Sequence, residues 1–182
     1  MVEPDPTPPC VFISYSHDSD AHAARVLALA DRLREVGIDA RIDQYDPNPV
    51  EGWPLWMQTN LDAARFVLMV CTETYHRRVM QKEKAGKGLG VQWEGSLIYN
   101  HIYNNSAQGS HYIPLLLDGA DTATIPGPVQ GHTRYRLKQF DFSDGQYEAL
   151  YRHLTGQHAT PKPELGSRKV LPPAPRGVPP NP

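Results

Sequence analysis

An unbroken run of apolar residues from Phe66 to Cys71 dictates much of the fold. A strand with only one buried face would alternate apolar and polar side chains, and this run does not. Such a run is typical of a strand covered on both faces, as in a parallel sheet. It is also far shorter than the roughly 20 apolar residues of a membrane-spanning helix. We therefore expect a buried strand at residues 66–72 and no membrane span.

Strand and helix patterns alternate on both sides of this run. Apolar positions at spacings of three and four predict helices, and short β-branched runs predict strands. Alternation of this kind implies right-handed crossovers and a mostly parallel sheet with helices on both faces, of the flavodoxin-like α/β type. The further strands are predicted at residues 11–14, 38–43, 111–117 and 135–142, the helices at 21–36, 54–64, 91–103 and 144–154, and a long polar loop at 73–90.

Prolines mark the two ends of the 182-residue chain. Of the 18 prolines, four fall within the first nine residues and eight after residue 160. Segments so poor in large apolar side chains cannot bury a core. We expect a disordered tail at residues 1–9, one domain at 10–156, and at 157–182 a disordered Pro-rich tail or linker to a further domain.

Composition excludes several classes of function. A net charge of -2 with a pI near 6.4 disfavours nucleic-acid binding. The two cysteines give no disulfide framework or multi-Cys zinc site, and the eight histidines show no metal-binding pair at helical spacing, so no metal is expected. The N-terminus has no basic and apolar leader, and a cytoplasmic location is expected.

Three predicted loops should form the ligand site, because ligands bind outside the carboxyl ends of the strands in such sheets. These loops are residues 14–20, 43–56 and 72–94. Glu94, beside Trp93, falls in the first turn of the helix predicted at 91–103, where the helix dipole favours a carboxylate. From the residues alone it is either a catalytic carboxylate or a partner of the dipole.

Several short motifs resemble, in order and spacing, the SEFIR branch of the TIR (Toll/interleukin-1 receptor-like) superfamily, prokaryotic type. The resemblance runs from Val11 to about Leu154 and implies a central five-stranded parallel sheet in the order 2-1-3-4-5. The motifs are Val11-Phe12-Ile13-Ser14-Tyr15-Ser16-His17-Asp18, Ile42-Asp43, Glu51-Gly52-Trp53-Pro54-Leu55-Trp56, the segment from Ala63 to Thr72, Tyr75, Arg77 and Trp93-Glu94-Gly95.

The resemblance implies one of two functions. Many TIR domains cleave NAD between nicotinamide and ribose with a Glu at the start of the third helix, and Glu94 matches that position. The residues implied to bind substrate are Tyr15, Ser16, His17, Asp43, Gly52 and Trp93. Cleaving members often carry a Trp four residues before the Glu, whereas Gly90 occupies that place here.

Such a reaction needs few groups, because nicotinamide leaves NAD as a neutral molecule and requires no general acid. Glu94 would stabilise the positive charge that develops on the ribose. NAD is then the substrate and no cofactor is expected. Water or the adenine could attack, giving ADP-ribose or a cyclic product, and the enzyme would be an NAD nucleosidase of the glycohydrolase or cyclase kind.

The alternative is a non-catalytic homotypic interaction domain, as SEFIR and TIR domains are in animal receptors and adaptors. Trp53 and Trp56 would then form an assembly interface, although they equally suit a staple of the second helix to the sheet. Either way we expect self-association, a sensor or partner beyond the C-terminal linker, and a role in immune or antiphage signalling. A response-regulator phosphoacceptor is excluded, because its acids are replaced by Ser14-Tyr15 and Cys71-Thr72.

Overall fold

The computed structural model describes residues 7–80, 89–104 and 111–173, with residues 89–95 described as backbone only. Five parallel strands form one sheet in the order β2-β1-β3-β4-β5, which confirms the predicted fold class. The strands are β1 Cys10–Ser14, β2 Asp39–Arg41, β3 Phe66–Val70, β4 Tyr112–Leu117 and β5 Tyr135–Leu137. The helices are α1 Asp20–Glu35, α2 Trp53–Ala63, α3 Glu73–Val79, α4 Leu89–Asn104 and α5 Gly145–Thr155, with short 3-10 helices at Asp43–Tyr45, Thr122–Thr124 and Gly127–Val129.

The side chains of each strand divide between two cores, one on each face of the sheet. Val11 and Ile13 of β1 pack with apolar residues of α1 and α5, whereas Phe12 packs with residues of α2, α3 and α4. Every residue of β3 is buried, as its unbroken apolar run predicts. The helices therefore cover both faces of the sheet in three layers.

Local signals fix the ends of several helices. The Ser19 hydroxyl accepts a hydrogen bond from the His22 N–H at the start of α1, and the Asp144 carboxylate accepts one from the Gln146 N–H at the start of α5. Gly156 ends α5 with φ of 69°, a left-handed conformation that favours glycine. Both helices were predicted from the sequence, at residues 21–36 and 144–154.

Helix α3 lies where the sequence predicts part of a long polar loop, and that part of the prediction is wrong. The Thr72 hydroxyl caps the helix by accepting a hydrogen bond from the Tyr75 N–H at 3.1 Å. Tyr75 and Val79, one turn apart, are both buried against the sheet. The segment is helical because this short apolar stripe has a core to pack against.

The last strand is shorter than expected. It ends at Leu137 instead of residue 142, because the Asp144 carboxylate accepts hydrogen bonds from the N–H groups of Lys138 and Gln139. These bonds replace the sheet ladder and turn the chain toward α5.

Residues 157–173, in the segment expected to be a tail, are exposed and contain no helix or strand. Across the described ranges, no helix is long and apolar enough to cross a membrane.

Candidate functional site

A cleft of about 160 Å³ opens at the carboxyl ends of β1 and its neighbours β2 and β3. The three loops that the sequence places at this edge do converge on it. The described residues of its lining are Phe12, Ile13, Ser14, Tyr15, His17, Asp43, Trp53, Trp56, Met57, Tyr75, Arg78, Val79 and Ile98.

A hydrogen-bonded network joins the loops after β1 and β2. The Tyr15 hydroxyl donates to Oδ1 of Asp43 at 2.9 Å, and His17 Nε2 bonds Oδ2 of the same carboxylate at 2.7 Å. Gln44 Nε2 donates to the Tyr15 hydroxyl at 2.8 Å. Burial, followed by the negative charge of Asp43, raises the pKa of Tyr15 well above its ordinary value, so the phenol stays protonated and remains a donor. The network holds the Asp43 side chain in one orientation at the cleft.

The floor of the cleft is held by Ser14 and Tyr75, whose hydroxyl groups are 2.8 Å apart. Burial raises the pKa of Tyr75 well above its ordinary value, and this phenol is therefore neutral as well. The pair ties the end of β1 to α3. Because Tyr75 is fixed in this way, the position of α3 relative to the cleft is also fixed.

Ser16 does not line the cleft, although the resemblance implies that it binds substrate. Its side chain is completely buried and hydrogen-bonds to Asp18 and, at 3.1 Å, to the Thr72 hydroxyl. Ser16 therefore braces the loop after β1 against the N-terminus of α3. Among the residues that loop contributes, Tyr15 and His17 reach the cleft.

Two tryptophans of α2 form one wall. Trp53 is 42% exposed, whereas Trp56 is only 6% exposed. Trp56 packs edge to face on Phe12 of β1 and donates from its indole nitrogen to Oδ2 of Asp46 at 2.9 Å. Trp56 therefore staples α2 to the sheet, and of the two expected interface residues Trp53 alone presents much surface to a partner.

Gly52 sits at the N-cap of α2 with φ of 80°, a conformation that L side chains rarely adopt. Its carbonyl accepts a hydrogen bond from the Trp56 N–H at 3.0 Å. Gly52 is not part of the described lining. It therefore affects the cleft by setting the direction in which α2 begins, and not by contacting a ligand.

Arg78 lines the cleft. The sequence places the basic cluster at residues 76–78 in a polar loop, interpreted first as solvated and, as the minor alternative, as a contact for an anionic partner or a substrate phosphate, and it does not predict the helix that carries Arg78. The missed signal is helical spacing. Tyr75, Arg78 and Val79 recur at intervals of three and four and share one side of α3. The Nε of Arg78 is buried and has no hydrogen-bond partner among the described residues.

Glu94 and Trp93 lie on α4, and their side chains fall outside the described residues. The helix begins at Leu89, before the expected residue 91, and has no acidic residue in its first turn. Glu94 is therefore in the second turn, where a helix dipole stabilises a carboxylate less than the sequence prediction assumed. Ile98, one turn further along α4, is part of the cleft wall.

Within the described ranges, no three His, Cys, Asp or Glu side chains are grouped so that they could hold a metal ion. Two of the histidines bond other side chains. His17 bonds Asp43, and His101 bonds both Asp62, at 3.1 Å, and Tyr112.

A family model, the SEFIR domain, matches residues 9–154. Among solved structures, the chain is similar to a prokaryotic SEFIR domain, with a TM-score of 0.62 and 26% identity over 87% of this chain and 99% of that one. It is also similar to a metazoan TIR-STING receptor from C. gigas, solved in complex with 2',3'-cGAMP, with a TM-score of 0.52 and 17% identity.

That second match covers 83% of this chain and 40% of the receptor, and it shows likeness of fold alone. A weaker match, to the IL-17 receptor B SEFIR domain, has a TM-score of 0.49 and 15% identity over 79% of this chain and 95% of that one. The search of curated proteins returned no significant match. With a family model that covers most of its length, this chain belongs to the SEFIR family of the TIR-like superfamily.

Proposed function

We propose that this domain cleaves NAD, releases nicotinamide and becomes active on self-assembly, as an effector in immune or stress signalling. One observation carries the proposal. The cleft lies at the carboxyl edge of β1 to β3 and is bordered by α4, on which Glu94 sits one turn before the cleft residue Ile98. Positions four residues apart fall on the same side of a helix, so position 94 belongs to the side that meets the cleft.

The dimensions and lining of the cleft suit a nicotinamide ring. A cavity of about 150 Å³ accommodates benzene, and this cleft is about 160 Å³. The face of an aromatic ring attracts a cation, and the pyridinium of NAD is cationic. Tyr15, Trp53 and Trp56 contribute aromatic side chains to the lining, and Asp43 adds a carboxylate.

In this proposal Asp43 and Glu94 have different roles in the reaction. Each Asp43 oxygen accepts one hydrogen bond within the protein and keeps a second lone pair for a ribose hydroxyl. Glu94 would stabilise the oxocarbenium-like charge as the bond from ribose to nicotinamide breaks. Because the departing nicotinamide is neutral, no general acid is needed, and water or the adenine completes the reaction.

Exposed apolar residues near the cleft support the assembly part of the proposal. Val50 is fully exposed, Leu55 is 57% exposed and Trp53 is 42% exposed, all within one short segment. Several exposed apolar side chains within one short segment are typical of protein interaction sites. The same surface favours the second candidate function, a non-catalytic domain that associates with copies of itself or with partners.

The test is NAD consumption by the wild-type protein and by Glu94→Gln, at rising protein concentration and with a crowding agent. The matched control is Glu148→Gln, which also neutralises one helical glutamate but lies on α5, against the other face of the sheet. We expect consumption by the wild type and by Glu148→Gln, and its loss in Glu94→Gln. Equal consumption by all three proteins would refute the role of Glu94, and self-association without any NAD consumption would establish the second candidate.

A further inference from the structure

Arg78 differs from the arginines that pair with carboxylates in the described ranges. Six of them do so: Arg25, Arg32, Arg34, Arg41, Arg77 and Arg152. Arg78 is half-buried, lines the cleft, and has a buried Nε without a partner among the described residues. A guanidinium N–H that is buried without an acceptor destabilises the free protein, and a ligand acceptor would remove that cost.

The position of Arg78 is fixed by its neighbours on α3. Tyr75 and Val79 are buried on either side of it, and the Tyr75 hydroxyl bonds to Ser14 at 2.8 Å. The Thr72 cap holds the start of the same helix. A side chain on a rigid element of this kind is suited to ligand recognition, because it is already close to its binding position before the ligand arrives.

Within the described lining of the cleft, the Asp43 carboxylate and the Arg78 guanidinium are separated by the strand order. Asp43 follows β2, Arg78 lies on the helix after β3, and β1 runs between these strands. Because β2 and β3 are two strand spacings apart, their ends are separated by roughly 10 Å. The cleft therefore offers a carboxylate with aromatic side chains on one side and a guanidinium on the other.

We propose that Arg78 binds the diphosphate of a dinucleotide whose cationic ring lies on the Asp43 side. In NAD a ribose separates the pyridinium from the diphosphate, and this order of charges matches the order across the cleft. The guanidinium fork is the side chain best suited to phosphate, which it binds through two parallel hydrogen bonds. This inference rests on the proposed function, since it names the residue that recognises the anionic part of the same substrate.

The test compares Arg78→Gln with Arg77→Gln, which removes the same charge from the adjacent position. Arg77 pairs with Glu73 on the outer side of α3. The probes are ADP-ribose, which carries the diphosphate, and nicotinamide riboside, which does not. Binding of each is measured by calorimetry under conditions that favour assembly, alongside the KM for NAD.

We expect Arg78→Gln to weaken ADP-ribose binding roughly 10- to 100-fold, the loss typical of a charge-assisted hydrogen bond. The KM for NAD should rise by a similar factor, while nicotinamide riboside binding stays within about twofold. Arg78→Lys keeps the charge but not the fork and should bind ADP-ribose with intermediate affinity. Arg77→Gln should match the wild type.

Equal ADP-ribose affinity in the wild type and Arg78→Gln overturns the inference, as does wild-type protein that binds no ADP-ribose. If NAD is consumed and Arg78→Gln changes neither affinity nor KM, the proposed function stands without this residue. If ADP-ribose binding depends on Arg78 but NAD is not consumed, the diphosphate site stands and the cleavage proposal fails. Unfolding curves of each variant separate these results from a loss of folded protein.

Discussion

The hydroxyl of Tyr15 lies 2.9 Å from Oδ1 of Asp43 and joins the loops that follow two neighbouring parallel strands. The other oxygen of Asp43 is bonded to His17 at 2.7 Å. Both oxygens are therefore positioned before any ligand arrives. A carboxylate fixed in this way loses little freedom on binding, which favours affinity for the group that it meets.

Tyr15→Phe should therefore affect both stability and substrate binding. It removes a half-buried hydrogen bond to a carboxylate, so we expect the free energy of unfolding to fall by about 1 kcal/mol. The KM for NAD should rise, because Asp43 loses a group that orients it. Urea unfolding and steady-state kinetics measure the two effects.

Tyr45→Phe is the matched control, since the Tyr45 hydroxyl also donates to a carboxylate, that of Asp31, at 2.6 Å. Tyr45 is exposed and lies outside the described cleft lining. Its loss should change stability by about 0.5 kcal/mol or less and leave the KM unchanged. Equal effects of the two substitutions on the KM would show that the Tyr15 bond does not organise the site.

The two tryptophans of α2 should respond differently to truncation. Trp56→Ala leaves a cavity between α2 and Phe12 and should lower the free energy of unfolding by about 3–5 kcal/mol. Trp53→Ala removes a partly exposed side chain and should cost less than about 1 kcal/mol, while weakening self-association. Urea unfolding and sedimentation velocity distinguish the two. Unchanged self-association in Trp53→Ala would place the assembly surface elsewhere.

Stability should fall on mild acidification. Burial lowers the pKa of His153 and of His111 below the ordinary value. The unfolded chain then binds protons more readily than the folded one, so stability is highest above pH ~6.5 and declines as the pH falls below it. Thermal unfolding between pH 7 and pH 5 should show this decline.

His153→Gln should reduce that decline, because it removes one of the two described histidines whose pKa burial lowers. The control is His158→Gln in the exposed C-terminal segment, which should keep the wild-type dependence. An identical decline in all three proteins would mean that His153 does not contribute to the pH dependence.

The succession of strands and helices along the chain was predictable because local apolar patterns reflect burial, whereas the strand order 2-1-3-4-5 was implied by the resemblance to SEFIR domains. The β3 run lacks alternation since helices cover both its faces, and Ser19 and Gly37 flank α1 as caps should. Elements that depend on tertiary contacts are harder to predict, because those contacts leave little trace in the local sequence pattern. Helix α3 has only seven residues and two buried apolar side chains, too few for a clear periodic pattern.

For the candidate site, the loops that form it were predictable from the sequence, but the directions of their side chains were not. Strand topology brings Tyr15, His17 and Asp43 together, as expected of residues that follow adjacent parallel strands. Topology does not say which way each side chain of a loop turns, and Ser16 turns inward to Thr72. Arg78 reaches the cleft because α3 is helical, and a prediction of a loop at this segment could not place its side chain there.

The most direct test is the stoichiometry of products from NAD at protein concentrations that give assembly. Nicotinamide and the ADP-ribose or cyclic product are quantified by chromatography against the NAD consumed. A cleaving domain predicts one nicotinamide released for each NAD lost, in the wild type but not in Glu94→Gln. Assembled wild-type protein that leaves NAD intact would contradict cleavage and identify the domain as an interaction module.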